Sequence, residues 1–147
     1  MLHQADRFVL GLKEPQVIYD IQDKDYGTAG AVFHASRYLY HPLTLVLNGD
    51  TITNLNILMM IAKHLDDPGK QVTIFSQKDA INSGGVYLFN TKIFGFIPSG
   101  IPYSLHKDFI PKLEENNLVQ IYNPLSTYYF DIGDAAKLKK AKEYFEQ

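Results

Sequence analysis

TLVLNGDTI, residues 44–52, is a short apolar run that ends abruptly at Asn48-Gly49-Asp50. A wholly apolar strand is usually covered on both faces, as in a parallel sheet. Residues 43–47, LTLVL, therefore read as a buried strand, with the Asp50 carboxylate just past its end. Upstream, PQVIYDI alternates in part between Pro15 and a charged turn, which predicts a strand over 16–21. Between the two, QDKDYGTAGAVFHASRYLYHP shifts to a helical period. Ala31, Val32, Ala35 and Leu39 recur at that spacing, and Pro42 stops the run. Strand, helix, strand is the grammar of an α/β fold. A right-handed crossover would set 16–21 and 43–47 side by side and parallel, with a helix near 28–40 packed across them.

The same reading continues downstream. TNLNILMMIAKHLDDPG predicts a helix with Leu55, Leu58, Ala62 and Leu65 on its inner face, Thr53 or Asn54 as N-cap, and Pro68-Gly69 as its close. QVTIFSQ and GGVYLFN read as strands, and TKIFGFIP as a short helix ending at Pro98. YSLHKDFIPKLEENN reads as a helix capped by Ser104, with a break or late restart at Pro111. NLVQIYN and TYYFDIG read as a closing pair of strands. DAAKLKKAKEYFEQ is a terminal helix capped by Asp134, with Ala135, Leu138, Ala141 and Phe145 inward. No linker divides these segments, so residues 1–147 are expected to form a single domain.

Bulk composition narrows the function. The chain is 147 residues long and 46% hydrophobic, enough for a real core. Fourteen Lys and Arg against sixteen Asp and Glu leave a net charge of −2 with no basic run, so neither nucleic acid nor an anionic membrane is an expected partner. The absence of cysteine removes disulfides and thiolate metal sites and fits a cytoplasmic protein. The first residues, MLHQADRFVLGLKEP, do not read as a signal peptide, and no apolar run approaches a membrane span.

Chemistry concentrates at three places. Ligands of open α/β sheets sit outside the carboxyl ends of the strands, and Asp50 lies there. A carboxylate in that position can hold a divalent cation or cap the next helix, and position alone supports both. GTAGA, residues 27–31, puts two glycines at the start of the first helix, where backbone and a ligand can approach closely and anions are favoured. YYFDIG, residues 128–133, supplies a second strand-end aspartate, Asp131, followed by a glycine turn. The remaining polar candidates carry simpler readings. His3, His34, His41 and His64 show no metal-ligand spacing, Ser36, Ser83 and Ser104 sit in no nucleophile elbow, and KLKKAKEYFE is a solvated helix face with a Lys139–Glu143 pair.

Taken together, YGTAGAV, LVLNGDT, NSGGVYLFN, YSLHKDFIP and YYFDIGD resemble the sugar-phosphate nucleotidyltransferases, nearest to the heptose-1-phosphate and mannose-1-phosphate guanylyltransferase branch. The resemblance runs from about Val17 to the C-terminus. It implies a partial nucleotidyltransferase fold, an α/β Rossmann-like mixed, mainly parallel sheet with flanking helices. It also implies nucleotide-sugar biosynthesis: transfer of a nucleoside monophosphate from a triphosphate, GTP in the nearest branch, to a sugar 1-phosphate, with pyrophosphate released. Asp50 and Asp131 would hold Mg²⁺, and with Lys78 would form the catalytic set. Gly27, Thr28, Ala29 and Gly30 would line the nucleotide. Ser83, Gly84, Gly85, His106 and Lys107 would meet the sugar.

The resemblance also has gaps. Family members open with a strand and a Gly-rich loop ending in arginine, and no G-x-G-x-x-x-R occurs in these 147 residues. The stretch between the NGD and SGG blocks is shortened, Gln77 stands where a glutamate is usual, and His106 replaces a glutamate beside Lys107. The chain thus resembles a truncated member, and two readings stay open: a nucleotidyltransferase, or a non-catalytic remnant or partner subunit. The chain alone is expected to be inactive, and an open sheet edge is expected to make it a homodimer or a complementing subunit.

Overall fold

The computed structural model describes residues 17–77 and 84–146; Lys78 and Ser83 lie outside the described residues. Its centre is β4 (Val86–Asn90), in a four-stranded sheet of order β1 (Leu43–Leu47), β4, β3 (Val72–Phe75), β5 (Val119–Tyr122). β4 is antiparallel to both β1 and β3, and β3 is parallel to β5. The two central strands are mostly apolar, Thr73 of β3 being buried and hydrogen-bonded, and are covered on both faces. Their side chains alternate between those faces with the two-residue period of a strand. Tyr87 and Phe89 of β4, with Val72 and Ile74 of β3, join Ala29, Phe94, Phe109 and Ile110 on one side. Val86, Leu88 and Phe75 join Leu55 and Met60 on the other.

The expected α/β fold with a mixed sheet and flanking helices is present, although two of the three described ladders in this sheet are antiparallel. Helix α1 (Gly27–Ala35) continues as a 3₁₀ turn over Ser36–Tyr38, close to the predicted span. Residues 17–22, however, form no strand, and the expected parallel pairing with 43–47 is absent. A cleft of about 510 Å³ lies there instead, with Ile18 and Asp20 among its walls and Leu43, Thr44 and Leu45 opposite in sequence. β1 is accordingly an edge strand of the described sheet, half-exposed rather than covered.

Three other expectations are corrected. NLVQIYN and TYYFDIG are not a pair: β5 joins β3, while β6 (Tyr129–Asp131) pairs antiparallel with β2 (Thr51–Thr53) in a separate two-stranded sheet. A strand over 51–53 also shifts the start of the following helix. α2 runs Ile57–Leu65, and its N-cap is Asn56, whose side chain accepts from Met59 N at 3.1 Å. The buried face then carries Met60 and His64, whereas Leu58 and Leu65 are 77% and 63% exposed. A histidine can take this place because its ring is satisfied: Nδ1 lies 2.7 Å from Thr73 Oγ1 and Nε2 3.2 Å from Asn90 Oδ1.

The C-terminal half follows its local signals. Ser104 Oγ accepts from Lys107 N at 3.2 Å and opens a π-helical turn over Leu105–Phe109. This leads into α3 (Ile110–Glu115), with Pro111 in the first turn, where its missing N–H is tolerated. α4 (Ala135–Phe145) is capped by Asp134, which accepts from Lys137 N at 2.9 Å. Of the four residues predicted inward on α4, only Ala141 is buried; Phe145 touches Tyr128 and Phe130 with its ring edge-on or tilted but is exposed, as are Leu138 and Ala135.

The packing of α2 makes a direct test. Met60→Ala is expected to cost roughly 2–5 kcal/mol, as for other core truncations, whereas Leu58→Ala should stay within about 0.5 kcal/mol. Urea unfolding of the two variants measures both.

Candidate active site

The site begins where β1 and β4 end together. Leu47 pairs with Val86, and beyond that register Asn48 N donates to Gly85 O at 2.8 Å. Gly85 has φ +68°, a left-handed conformation in which a side chain is strained. A Cβ there would run into Thr51 Oγ1 and come within 2.9 Å of Asn48 Nδ2. Gly84 is equally crowded, its Cβ position lying 2.6 Å from the Phe75 ring. Both predicted sugar-side glycines are thus buried, and this chain's own side chains take the space at their Cα atoms.

This tight passage turns the chain into β2, which sets the two aspartates. Thr51 is opposite Asp131 in the β2–β6 ladder, and Ile132 N donates to Asp50 O at 2.8 Å. The two carboxylates converge on Gly133. A Cβ at that glycine would lie 2.8 Å from Asp50 Oδ2 and 3.2 Å from Asp131 Oδ1. The sequence-predicted pair is therefore brought together around a position that holds no side chain.

Asp131 is fully engaged. Its Oδ1 accepts from Gly133 N at 2.9 Å, and its Oδ2 accepts from Lys137 Nζ at 2.8 Å. The Lys137 hydrogen bond, followed by that of Gly133, holds the Asp131 carboxyl below its ordinary value. A carboxyl depressed in the folded state contributes stability above its unfolded pKa and loses it as pH falls through the lowered value. This ion pair is therefore complete at neutral pH. Tyr129, two residues before Asp131, is shifted upward by burial first and by the charges of Asp131 and Asp50 next, so its phenol stays protonated. Lys137, Gly133, Asn48 and Thr51 were not singled out as site residues from sequence. Only the position of Lys137, three residues after the Asp134 cap, marks it there.

The nucleotide-side candidates form a second group. Gly27 N donates to Asp25 Oδ1 at 2.7 Å, and Ala29 N and Gly30 N donate to Tyr103 O at 2.9 and 3.2 Å. Three of the N–H groups expected to favour an anion at this helix start, those of Gly27, Ala29 and Gly30, are thus taken up by the chain itself. Thr28 Oγ1 accepts from Leu105 N at 2.8 Å, tying the group to the turn that carries His106 and Lys107, both exposed. Gln77 donates to Thr127 O at 3.2 Å. Among the described residues, no cluster of three or more His, Cys, Asp or Glu could hold a metal ion, and no helix is long and apolar enough to cross a membrane.

Sequence and fold together relate the chain to the sugar-phosphate nucleotidyltransferases. No family model matches it. Over 152 aligned residues it is 26% identical to D-glycero-alpha-D-manno-heptose 1-phosphate guanylyltransferase of Aneurinibacillus thermoaerophilus, an alignment covering 85% of this chain and 65% of the relative. A shorter match, 33% identical over 75 residues, is to a UTP–glucose-1-phosphate uridylyltransferase of Synechocystis and covers 46% of this chain and 19% of the relative. Among solved structures, HddC of Yersinia pseudotuberculosis complexed with GMP-PN superposes with a TM-score of 0.64 at 24% identity, over 84% of this chain and 64% of that one. A Bacillus anthracis protein assigned as a glucose-1-phosphate thymidylyltransferase, in complex with sucrose, gives 0.70 at 17% identity, over 86% and 64%. The chain thus spans under two thirds of the length of these relatives.

The crowding at Gly85 is open to measurement. Gly85→Ala is expected to destabilise the chain by about 1–3 kcal/mol through its left-handed backbone and the contacts named above. Gly95, whose Cβ position meets nothing within 4 Å, should accept alanine within about 0.5 kcal/mol. Thermal unfolding of the two variants compares them.

Proposed function

We propose that this chain carries the strand-mouth half of a sugar-phosphate nucleotidyltransferase site. In that reaction an oxygen of a sugar 1-phosphate attacks the α-phosphorus of a nucleoside triphosphate. The bond from that phosphorus to the α,β-bridging oxygen breaks, and pyrophosphate leaves. Such a transfer asks little covalent chemistry of the protein and much positioning and charge neutralisation. The observation that carries the reading is the convergence of Asp50 and Asp131 on Gly133. Magnesium typically takes one or two carboxylates and completes its shell with water and phosphate oxygens. Two carboxylates around a side-chain-free position fit that demand. When bound, Mg²⁺ supplies neutralising charge to the phosphate oxygens. The chain's own part is to hold the two aspartates in place through the β2–β6 ladder.

Within this reading, Gly27, Thr28, Ala29 and Gly30 lie beside the nucleotide, which is GTP by likeness to the guanylyltransferase. Since the N–H groups of Gly27, Ala29 and Gly30 are committed, this turn acts by shape more than by anion capture. Gly84, Gly85, His106 and Lys107 belong to the sugar side, and the resemblance assigns Lys78 and Ser83 there also. The chain acts as a single domain, in the cytoplasm, a placement its lack of cysteine supports. Calorimetric titration with GTP is the test. Binding should strengthen when Mg²⁺ is added to the parent chain, and this metal dependence should vanish in Asp50→Asn and Asp131→Asn. Equal behaviour of parent and both variants would remove the carboxylate pair from the site.

The reading includes a homodimer. Among the described residues β1 offers an open edge, and it has no charged residue between Leu43 and Leu47. LTLVL is self-complementary in an antiparallel register centred on Leu45, which suits a two-fold interface. Light scattering at tens of micromolar, where exposed edges associate, should show a dimer, and Leu45→Lys should return it to monomer. A monodisperse parent monomer would refute the pairing.

A further inference from the structure

Lys137 stands where a helix ordinarily prefers an acid. It is the third residue of α4, after the Asp134 cap, Ala135 and Ala136. At that position a carboxylate completes a capping box and suits the positive end of the helix dipole. An ammonium there opposes the dipole and needs compensation. The structure supplies it: Lys137 Nζ lies 2.8 Å from Asp131 Oδ2 and 3.5 Å from Asp134 Oδ2. With Gly133 N on Oδ1, both oxygens of Asp131 are occupied from within the chain. Lys137 is half-exposed, and so is Asp131 in part, so the pair can open without disturbing the core.

We propose that Lys137 is a resident counter-ion of the Asp50–Asp131 pair, which a divalent cation must displace from Asp131. The charge on residue 137 then sets how tightly the pair binds a cation. Displacement is sterically simple, because Asp134 already stands beside Nζ as a second partner and the ammonium can transfer to it by side-chain rotation. A displaced Lys137 also stays beside the two aspartates, where its charge can face a phosphate group. The inference rests on the pair being a cation site, so its test separates the two.

The probe is Mn²⁺, followed by loss of the free-ion electron paramagnetic resonance signal on titration into the 147-residue chain. Removing a like charge a few ångströms from a divalent ion, together with a half-exposed ion pair, should tighten binding roughly fivefold or more. Lys137→Met is expected to show that gain, Lys137→Arg to match the parent, and Asp50→Asn to lose binding. Circular dichroism checks folding, and Lys137→Gln carries the same test if the methionine variant fails to fold. Equal Mn²⁺ affinity in parent, Lys137→Met and Lys137→Arg would overturn the counter-ion role while leaving the two-aspartate site in place. Absence of Mn²⁺ binding in all of them would overturn the cation site, and the role of Lys137 with it.

Discussion

The passage of Asn48 against Gly85 is the constraint on which the candidate site depends. The β1–β4 ladder ends at Leu47 and Val86, and one further hydrogen bond, from Asn48 N to Gly85 O, carries the contact past the sheet. At that point β1 must turn sharply, because β2 starts only three residues later at Thr51. Side chains of Asn48 and Thr51 fill the space that a Cβ on residue 85 would need. A left-handed glycine is therefore a packing requirement of the turn before it is anything else. Relaxing the passage would release β2, and with it the register that sets Thr51 opposite Asp131.

The second sheet is small, so its placement has to come from elsewhere. A two-stranded ladder of three residues per strand is marginal by itself. Tyr129 anchors it: its ring meets Phe75 edge-on, with centroids 6.1 Å apart, and packs against the cluster of Phe75, Val86 and Leu88. On its other side, Tyr128 and Phe130 contact Tyr144 and Phe145 of α4. Alternation along β6 thus sends one residue to the core and its neighbours to the terminal helix. The third residue of the strand, Asp131, is left at its mouth. Core packing on one side and an aromatic cluster on the other fix the carboxylate without burying it.

Much of this was legible in the sequence, for identifiable reasons. LTLVL, VTIF and VYLFN are apolar runs bounded by turn residues, and all three are strands. Asp134 is followed by a helical run and caps it. Asp50 and Asp131 were legible as a pair because each sits at or just past the end of a strand, in a block resembling one family. Pairing partners were not legible, since β5 and β6 carry no mark of which strand each will join. The leucines of α2 do not mark its buried face, because Thr73 and Asn90 satisfy His64 and let the face that carries it and Met60 be buried. Lys137 lies in a lysine-rich helix whose simplest reading is a solvated face, and only the carboxylate brought to it from β6 gives it another role.

VIYDI shows why alternation alone does not make a strand. Its apolar residues Val17, Tyr19 and Ile21 remain exposed, and no ladder joins it to β1. Charge holds it in place instead. Asp20 Oδ2 lies 2.7 Å from His34 Nδ1, and its Oδ1 accepts from Arg37 at 2.7 Å, so both anchors come from α1 and the turn that follows it. His34 first, and Arg37 after it, hold the Asp20 carboxyl below its ordinary value. A depressed carboxyl gives its full contribution above the unfolded value and loses it only as pH falls through the lowered one, so the tether is intact at neutral pH. Ion pairs of this kind fix direction less sharply than a ladder and add little stability where they are exposed. The segment is thereby tied to α1 and the turn after it, and among the described residues a cleft and not a hydrogen-bonded register lies between it and β1.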